Sequence, residues 1–195
     1  VGAADMSFAS LKLWLKADAG VATNATGFVS SWADQSANGN SAIQPTTSKQ
    51  PLLVSNGLNG RPVLRFDGVD DVLGIASTMP SMTNLTFFAV YTLQSGHAGD
   101  YYPVNFGGDV NAPGRYVGIE TLGPNGGASP DVLDIFAGFG DDQRATQTGI
   151  SAFNTPHLMA VTLPGFIHSV SVYHNGSGAS TTSLSSNVGL NVRLG

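Results

Sequence analysis

The stretch NLTFFAVYTL, residues 84–93, decides the fold because its large apolar side chains alternate with a period of two. In a β-strand, successive side chains point to opposite faces of the sheet. The two faces of this segment hold Leu85, Phe87, Ala89, Tyr91 and Leu93 on one side and Thr86, Phe88, Val90 and Thr92 on the other. Since both faces are largely apolar, the segment is predicted to be a central strand that is buried on both sides.

The same alternation recurs along the rest of the chain, separated by turn-forming clusters such as SNGLNG, residues 55–60. The dipeptide Asn175–Gly176 is a strong signal for a two-residue hairpin turn. Many short strands joined by glycine-rich connections indicate an all-β fold, an antiparallel sandwich or barrel. The predicted strands are residues 11–18, 28–34, 62–66, 84–93, 115–121, 132–138, 157–163, 168–174 and 191–195.

Composition limits the classes of protein that fit this chain, which we expect to be one domain over residues 1–195. Only 11% of the residues are charged, the net charge is −5 and no basic stripe is present, so nucleic-acid binding is excluded. The absence of cysteine excludes disulfides and thiol chemistry. No apolar run reaches the roughly 18 residues of a membrane span. A polar, uncharged and cysteine-free surface favours a secreted or cell-surface protein of bacterial origin.

Three segments carry a family resemblance: LKLWLKADAGV (11–21), VSSWADQSANGNSAIQ (29–44) and QPLLVSNGLNGRPVLRFDGVDDVL (50–73). They resemble the opening of the bacterial LamG-like jelly-roll domains of the concanavalin A-like lectin/glucanase superfamily, with Ala37 where glycine is common. VSVYHNG (170–176) resembles a hairpin of the same family. The resemblance implies a jelly-roll sandwich of two antiparallel sheets, one of them concave, and an extracellular, lectin-like role in carbohydrate or protein binding. Fold alone does not fix function.

Two expectations concern the ends of the sequence. It begins at Val1, which suggests a processed chain or an excised segment. Members of the resembled family continue past the last predicted strand with one more strand and a short helix, whereas this sequence stops at Gly195. We therefore expect either a fragment or a sandwich whose missing strand comes from a neighbouring copy or from another segment of the same parent chain.

The segment RPVLRFDGVDDVL, residues 61–73, contains three carboxylates within five positions, those of Asp67, Asp70 and Asp71. Three interpretations are open. In the first, Asp67 accepts backbone N–H groups in an Asx-turn and Gly68 takes the positive φ that the turn needs. In the second, the clustered oxygens bind calcium, without the ligand spacing of an EF-hand. In the third, the carboxylates are catalytic.

Polar loops at the rim of the sandwich are the predicted ligand sites, because glycan sites combine polar groups with an aromatic surface. The loops are HAGDYYPVNFGGD (97–109) and GFGDDQR (138–144), for which rim packing and an ordinary solvated turn are the alternatives. A further stretch, WADQSANGN (32–40), is either a structural hydrogen-bonded loop or another ligand loop. The predicted ligand-binding residues are His97, Tyr101, Tyr102, Asn105, Asp141, Asp142 and Arg144.

Histidine and tryptophan positions do not suggest sites of their own. The histidines lack the i, i+4 or HxH spacing of a zinc site, and His168 lies about 20 Å along a strand from His174. Trp14 and Trp32 are predicted to be core or sheet-face residues rather than sugar platforms. The four histidines are His97, His157, His168 and His174.

Enzyme motifs are weak. The glucanase branch of the resembled superfamily needs several carboxylates spaced along one strand, including glutamates, and Glu120 is the only Glu of this chain. Asp131 and Asp134 are three positions apart, which puts them on opposite faces of a strand. The residues that leave a polysaccharide lyase open are Arg115, Tyr116 and His168.

These patterns favour a non-catalytic extracellular binding module for glycans or for a protein surface, such as an adhesion module, with calcium as an optional organiser of its polar loops. The alternative from another class is a structural protein of a surface layer, filament or virion that assembles by strand exchange. It is favoured by the low charge and the abundance of small polar residues. A polysaccharide-acting lyase or hydrolase is the third hypothesis.

Overall fold

The structure is a computed structural model of the chain. It describes the backbone of residues 11–75, 85–94, 101–106, 116–121, 132–138, 144–148, 153–163, 169–183 and 192–194, and the side chains of residues 11–75, 85–94, 153–162 and 171–176. The chain divides into two compact units, Val1–Ser77 and Thr78–Gly195. Each unit is built from antiparallel strands.

The described part of the first unit contains six strands and one 3-10 turn, Thr47–Lys49. The strands are β1 (Val21–Thr23), β2 (Val29–Trp32), β3 (Ala42–Ile43), β4 (Leu52–Leu58), β5 (Arg61–Arg65) and β6 (Leu73–Ile75). Four of them form an antiparallel sheet in the order β1–β2–β3–β6, and β4 pairs with β5. The buried apolar side chains of this unit are Val29, Ala42, Leu73 and Ile75.

The β4–β5 hairpin turns at Asn59 and Gly60, whose φ angles are +49° and +75°. Two consecutive residues with positive φ form the type I′ turn that suits the twist of a hairpin. The cluster at residues 55–60 was expected to be a turn throughout, but β4 continues to Leu58. Gly57 makes this continuation possible, because a Cβ atom there would collide with Cγ2 of Val63 on the partner strand.

The second unit contains the remaining strands of the described chain, in two antiparallel sheets. They are β7 (Leu85–Thr92), β8 (Tyr101–Phe106), β9 (Tyr116–Thr121), β10 (Val132–Gly138), β11 (Arg144–Thr148), β12 (Pro156–Leu163), β13 (Ser169–His174), β14 (Ser177–Ser183) and β15 (Val192–Leu194). Within this unit one sheet has the order β14–β13–β12–β7, and the other has the order β15–β8–β9–β10–β11. Asn175 and Gly176 have φ angles of +49° and +77° and form the predicted turn between β13 and β14.

The four-stranded sheet supplies the described core of the second unit. Strands β7 and β12 pair along their whole length, from Pro156 opposite Thr92 to Leu163 opposite Leu85. Alternate residues of these strands and of β13 point to one face, and burial of their apolar side chains stabilises the unit. The buried apolar side chains are Phe87, Leu93, Met159, Val161 and Val172.

The decisive strand is confirmed as β7, but the prediction that it is central and buried on both sides is wrong. Its second face exposes Phe88 and Val90 to solvent. In the described sheet β7 is also the last strand, paired with β12. Apolar composition predicts that a face can be buried, and it does not establish that a partner layer covers it.

Residues 11–18 were predicted to form a strand and do not, apart from an isolated bridge between Lys16 and Ala19. Their backbone groups instead form hydrogen bonds with a loop at residues 34–40. The other predicted strands are confirmed within a few residues as β2, β5, β9, β10, β12, β13 and β15. The predicted all-β, antiparallel fold class is therefore confirmed. Among the described residues, no helix has the length and apolar character needed to cross a membrane.

Candidate binding site

The FDGVDD turn is organised around the carboxylate of Asp67. Its Oδ1 accepts hydrogen bonds from the backbone N–H groups of Val69, Asp70 and Asp71, at 2.8, 3.2 and 3.2 Å. Oδ2 of Asp71 accepts the N–H of Asp67 at 2.9 Å, and Gly68 has a φ of +73°. The Asx-turn interpretation therefore accounts for both Asp67 and Gly68.

The same turn brings one carboxylate oxygen from each of Asp67, Asp70 and Asp71 within 4.8 Å of the others. Burial raises the pKa of Asp71, and the charges of Asp67 and Asp70 raise it further, against a hydrogen bond from the Asp67 N–H that lowers it. A cation would relieve this repulsion. However, Oδ1 of Asp67 already accepts three N–H groups. A cation fits only the remaining oxygens, so the calcium site remains a prediction.

A second carboxylate, that of Asp34, organises the loop at residues 34–40. Oδ1 accepts the N–H groups of Trp14 and Ser36 at 2.9 and 2.8 Å, and Oδ2 accepts the Ser36 hydroxyl and the Asn40 N–H at 2.6 and 2.9 Å. Burial raises the pKa of Asp34, but these four hydrogen bonds outweigh it and hold the pKa below its ordinary value. This carboxylate is thus engaged in structure, which favours the structural interpretation of the loop.

The same loop holds residues 11–18 in place. The side-chain amide of Asn38 donates to the carbonyl of Leu11 at 2.7 Å, and that of Asn40 donates to the carbonyl of Lys12 at 2.8 Å. The N–H of Gln35 donates to the carbonyl of Trp14 at 2.7 Å. Loop groups therefore satisfy the backbone carbonyls that a neighbouring strand would otherwise satisfy, which explains why the segment is ordered by hydrogen bonds without being part of a sheet.

The two tryptophans differ in environment. Trp32 is half-buried and its Nε1 donates to the carbonyl of Lys16 at 2.7 Å, in agreement with a structural role. The same role was predicted for Trp14, but its ring is exposed, with Nζ of Lys16 5.4 Å from the ring centroid. The prediction of a core or sheet position for Trp14 is wrong, because its segment is not part of a sheet.

The predicted ligand-binding residues lie in different places. His97, Asp141 and Asp142 fall outside the described residues. Tyr101, Tyr102 and Asn105 were expected in a loop but belong to strand β8, and Arg144 begins β11. This correction has a simple cause, since aromatic and β-branched residues such as those of residues 101–106 favour strands.

The register of the five-stranded sheet places Asn105 and Arg144 in one row. Arg193 is opposite Asn105, Asn105 is opposite Gly118, Gly118 is opposite Phe136, and Phe136 is opposite Arg144. Residues directly opposite each other in antiparallel strands lie on the same face of the sheet. The row therefore crosses all five strands, and its four strand-to-strand steps span about 19 Å.

Two shorter rows flank this one on the same face. Glu120 is opposite Asp134, and Asp134 is opposite Thr146; on the other side, Tyr116 is opposite Gly138. These positions are an even number of residues from those of the long row, so all of them share one face. The polar face of this sheet is formed by the positions Asn105, Tyr116, Gly118, Glu120, Val132, Asp134, Phe136, Gly138, Arg144, Thr146, Thr148 and Arg193.

The intervening positions are almost entirely apolar. They include Val104, Val117, Ile119, Leu133 and Ile135, which pair across β8, β9 and β10 or lie between the polar positions. Alternation of this kind is typical of a sheet with one face toward a core and the other toward solvent or ligand. The register thus separates a polar face of this sheet from an almost entirely apolar one.

The carboxylate pair Glu120 and Asp134 was missed by the sequence analysis. Spacing along one segment relates Asp134 only to Asp131, three positions away. Glu120 belongs to a different strand, and its position opposite Asp134 follows from the β9–β10 register. A hairpin alignment of residues 115–121 with 132–138, matching apolar positions to apolar positions, was the available signal.

Three aromatic rings stack across the four-stranded sheet, on its buried face. The ring of His157 lies 5.4 Å from that of Tyr91 and 5.1 Å from that of His174, between centroids. Burial raises the pKa of Tyr91 well above its ordinary value, so its hydroxyl stays neutral. Spacing along one strand does not predict the His157–His174 pair, because it joins β12 to β13.

Comparison with known proteins finds structural similarity but no matching family model and no matching curated protein. Among solved structures, the chain is similar to a beta-glucanase of Bacillus licheniformis, with a TM-score of 0.45 and 15% sequence identity over 96% of this chain and 80% of that one. The similarity concerns the fold alone, and the LamG-like resemblance stays a prediction.

Proposed function

We propose that this chain is a glycan-binding module and that the polar face is its ligand-binding surface. The observation that carries the proposal is the row from Arg193 to Arg144, because it joins two predicted ligand residues, Asn105 and Arg144, on one face. Sequence positions far apart thereby become neighbours on a single surface.

The residue types of the polar face suit a sugar ligand. Hydroxyl groups of a sugar need donors and acceptors, which Asn105, Arg144 and Glu120 can supply. The CH face of a sugar ring packs on aromatic residues, which Tyr116 and Phe136 can supply. Gly118, at the middle of the long row, has no side chain and permits close approach of a ligand to the sheet. A row of about 19 Å favours an oligosaccharide over a single sugar.

A glycan array followed by calorimetry with the best ligand tests this proposal. Asn105→Ala and Arg144→Ala are each expected to weaken binding about tenfold or more, because each removes a polar contact at the ligand. Arg61→Ala is the matched control, since Arg61 is 77% exposed in the first unit, where it pairs with Asp18 at 3.4 Å. No binding to any glycan, or equal losses in all three variants, would contradict the proposal.

The pair Glu120 and Asp134 favours a second candidate, hydrolysis of glycosidic bonds. Directly opposite residues have Cβ atoms about 4.5–5.5 Å apart, so the register places two carboxyl-bearing residues side by side on one face, and glycosidases act with a pair of carboxyl groups. One carboxyl would protonate the leaving oxygen while the other attacks the sugar, and water would then release the product. Release of reducing ends that is lost in Glu120→Gln and in Asp134→Asn, with binding retained, would establish this activity. If no reducing ends are released, the chain is a binding module only.

The proposal also includes the setting. We propose a LamG-like module that is secreted or displayed on a cell surface, as the sequence resemblance and the low charge of the chain suggest. Among the described residues, the turn at Asp67 is the one carboxylate cluster that could hold a cation, and ligand binding measured with and without EDTA tests whether a cation assists. If the protein binds no glycan on the array but still binds cells, a protein surface is indicated as its ligand in place of a glycan.

A further inference from the structure

The four-stranded sheet exposes large apolar side chains on its outward face. The exposed fractions are 72% for Phe88, 64% for Val90, 45% for Leu158 and 42% for Tyr173. These residues lie on three neighbouring strands, β7, β12 and β13. We name them, together with Ala160, the apolar face. A contiguous exposed group of this kind marks an interaction surface.

The apolar face has one projecting side chain, that of Phe88, and a depression beside it at Ala160. Phe88 is opposite Ala160, and Ala160 is opposite Tyr173, so a methyl group separates two aromatic residues in one row across three strands. Strands lie about 4.8 Å apart, so the two aromatic positions are about 10 Å apart, with the short side chain between them. Phe88 projects from the sheet, and Ala160 leaves a depression beside it.

The outward face carries no charge among the described side chains of β7, β12 and β13. Hydroxyl groups border the apolar residues, and two of them, Oγ1 of Thr86 and Oγ1 of Thr162, lie 3.5 Å apart. An uncharged face is complementary to another uncharged face and gives no attraction to a charged partner. The outward positions are Thr86, Phe88, Val90, Thr92, Pro156, Leu158, Ala160, Thr162, Ser171 and Tyr173.

We propose that the apolar face binds the same face of a second copy of this chain in a twofold-symmetric dimer, with Phe88 of each copy seated over Ala160 of the other. A twofold interface uses one patch twice, so the patch must hold both the projecting group and the space that receives it. The net charge of −5 repels two copies in any orientation, and contacts between charged parts of the surface would add to this repulsion. The apolar face adds no such repulsion.

The size of the face sets the expected strength. Strand β7 has eight residues, a length of about 26 Å, and three strands are about 14 Å wide. Two such faces bury less than the roughly 1,200 Å² at which stable complexes begin. The dimer is therefore a transient one, which forms at micromolar or higher concentrations.

Sedimentation equilibrium over a range of concentrations tests the dimer, with circular dichroism as a check of folding. Val90→Lys places a charge in the interface and is expected to weaken association about tenfold or more. Val69→Lys introduces the same charge at a 79% exposed apolar position of the first unit and is expected to change nothing. Ala160→Leu fills the depression at Ala160 while adding apolar surface, and is expected to weaken association as well.

Ala160→Leu distinguishes a specific dimer from non-specific hydrophobic association. Its additional apolar surface would strengthen non-specific association, whereas it weakens the specific dimer. Ala160→Val is a smaller change of the same kind and serves the same purpose if Ala160→Leu does not fold. A wild-type chain that stays monomeric throughout overturns the proposal. So does a dimer that Ala160→Leu leaves intact or strengthens, or one that Val69→Lys weakens as much as Val90→Lys does.

Discussion

Nδ1 of His157 lies 2.9 Å from Nε2 of His174, so the two imidazoles of β12 and β13 form a direct hydrogen bond. In the neutral pair one nitrogen donates and the other accepts. His157 is 3% exposed, so this contact lies inside the core of the second unit. The pair therefore joins two core strands by a contact that depends on protonation.

We expect the stability of the second unit to fall as the pH drops below about 6.5. Burial lowers the pKa of His174 from its ordinary value of 6.5, and His157 lowers it further. The unfolded chain then binds the proton first, so the stabilisation is present above pH 6.5 and is lost as the pH falls toward the folded pKa. Urea denaturation between pH 5 and 8 measures this, with a slope of at most about 1.4 kcal/mol per pH unit for one proton.

The matched variants for this prediction are His174→Gln and His168→Gln. The first removes a partner of the pair and should flatten the pH profile, whereas the second removes a histidine outside the pair and should not. Tyr91, which stacks on His157, is neutral throughout this range, since its ordinary pKa is 10.0 and burial raises it further. A profile that is equally steep in His174→Gln would rule the pair out as its source.

Asp34→Ala should release residues 11–18 from the first unit. The substitution removes the acceptor of four hydrogen bonds, including that from the Trp14 N–H. We expect a loss of about 1–3 kcal/mol in the free energy of unfolding, together with faster amide hydrogen exchange at Trp14 and Asn40. Asp18→Ala, at an exposed ion-paired carboxylate, is the control and should cost less than about 1 kcal/mol. Unchanged exchange at Trp14 in Asp34→Ala would disprove the account.

Asp67 and Asp70 should differ sharply in their effect on stability. Oδ1 of Asp67 accepts three backbone N–H groups, and Asp70 contributes negative charge that raises the pKa of Asp71. Asp67→Ala is expected to cost about 1–2 kcal/mol, and Asp70→Ala to be within about 0.5 kcal/mol of the wild type. Thermal unfolding with and without calcium and EDTA completes the test, and we expect no difference. A calcium-dependent rise in melting temperature that Asp70→Ala removes would instead establish a cation site.

Gly57→Ala should destabilise the β4–β5 hairpin, because the new Cβ atom meets Cγ2 of Val63. We expect a cost of about 1–3 kcal/mol, as for other overpacked sites. Gly74→Ala in β6 is the control, since nothing lies within 4 Å of a Cβ atom there. Addition of Val63→Ala should recover part of the loss, and a double-mutant cycle measures the coupling. Additive effects would show that the collision is not the cause.

Local pattern predicted most strands of this protein because the period-two segments coincide with paired strands. Residues 157–163 and 168–174 became β12 and β13 almost unchanged. Strands rich in small polar residues were missed, as at Ser177–Ser183, because they lack apolar alternation and acquire strand geometry by pairing with β13. The prediction of a strand at residues 11–18 failed for the opposite reason. Apolar alternation is present there, but the segment hydrogen-bonds with a loop and not with a strand.

The candidate site was less predictable, for a different reason. Asn105 and Arg144 were identified by residue type, but their place in one row depends on the register of four strand pairs. Register is a long-range property that local periodicity cannot give. The same reason hid the Glu120–Asp134 pair and the contact between His157 and His174. Composition indicated the chemistry of the site, and the topology decided which residues share it.

The loop at residues 34–40 looks permissive, being largely exposed and rich in Ser, Asn and Gly. Its hydrogen bonds to residues 11–14 show that it is not permissive. Asp34, Asn38 and Asn40 must reach Trp14, Leu11 and Lys12 at the same time, so its length is fixed at both ends. An epitope tag or grafted peptide inserted here would detach the chain's early segment, although surface appearance alone would recommend the position to an engineer.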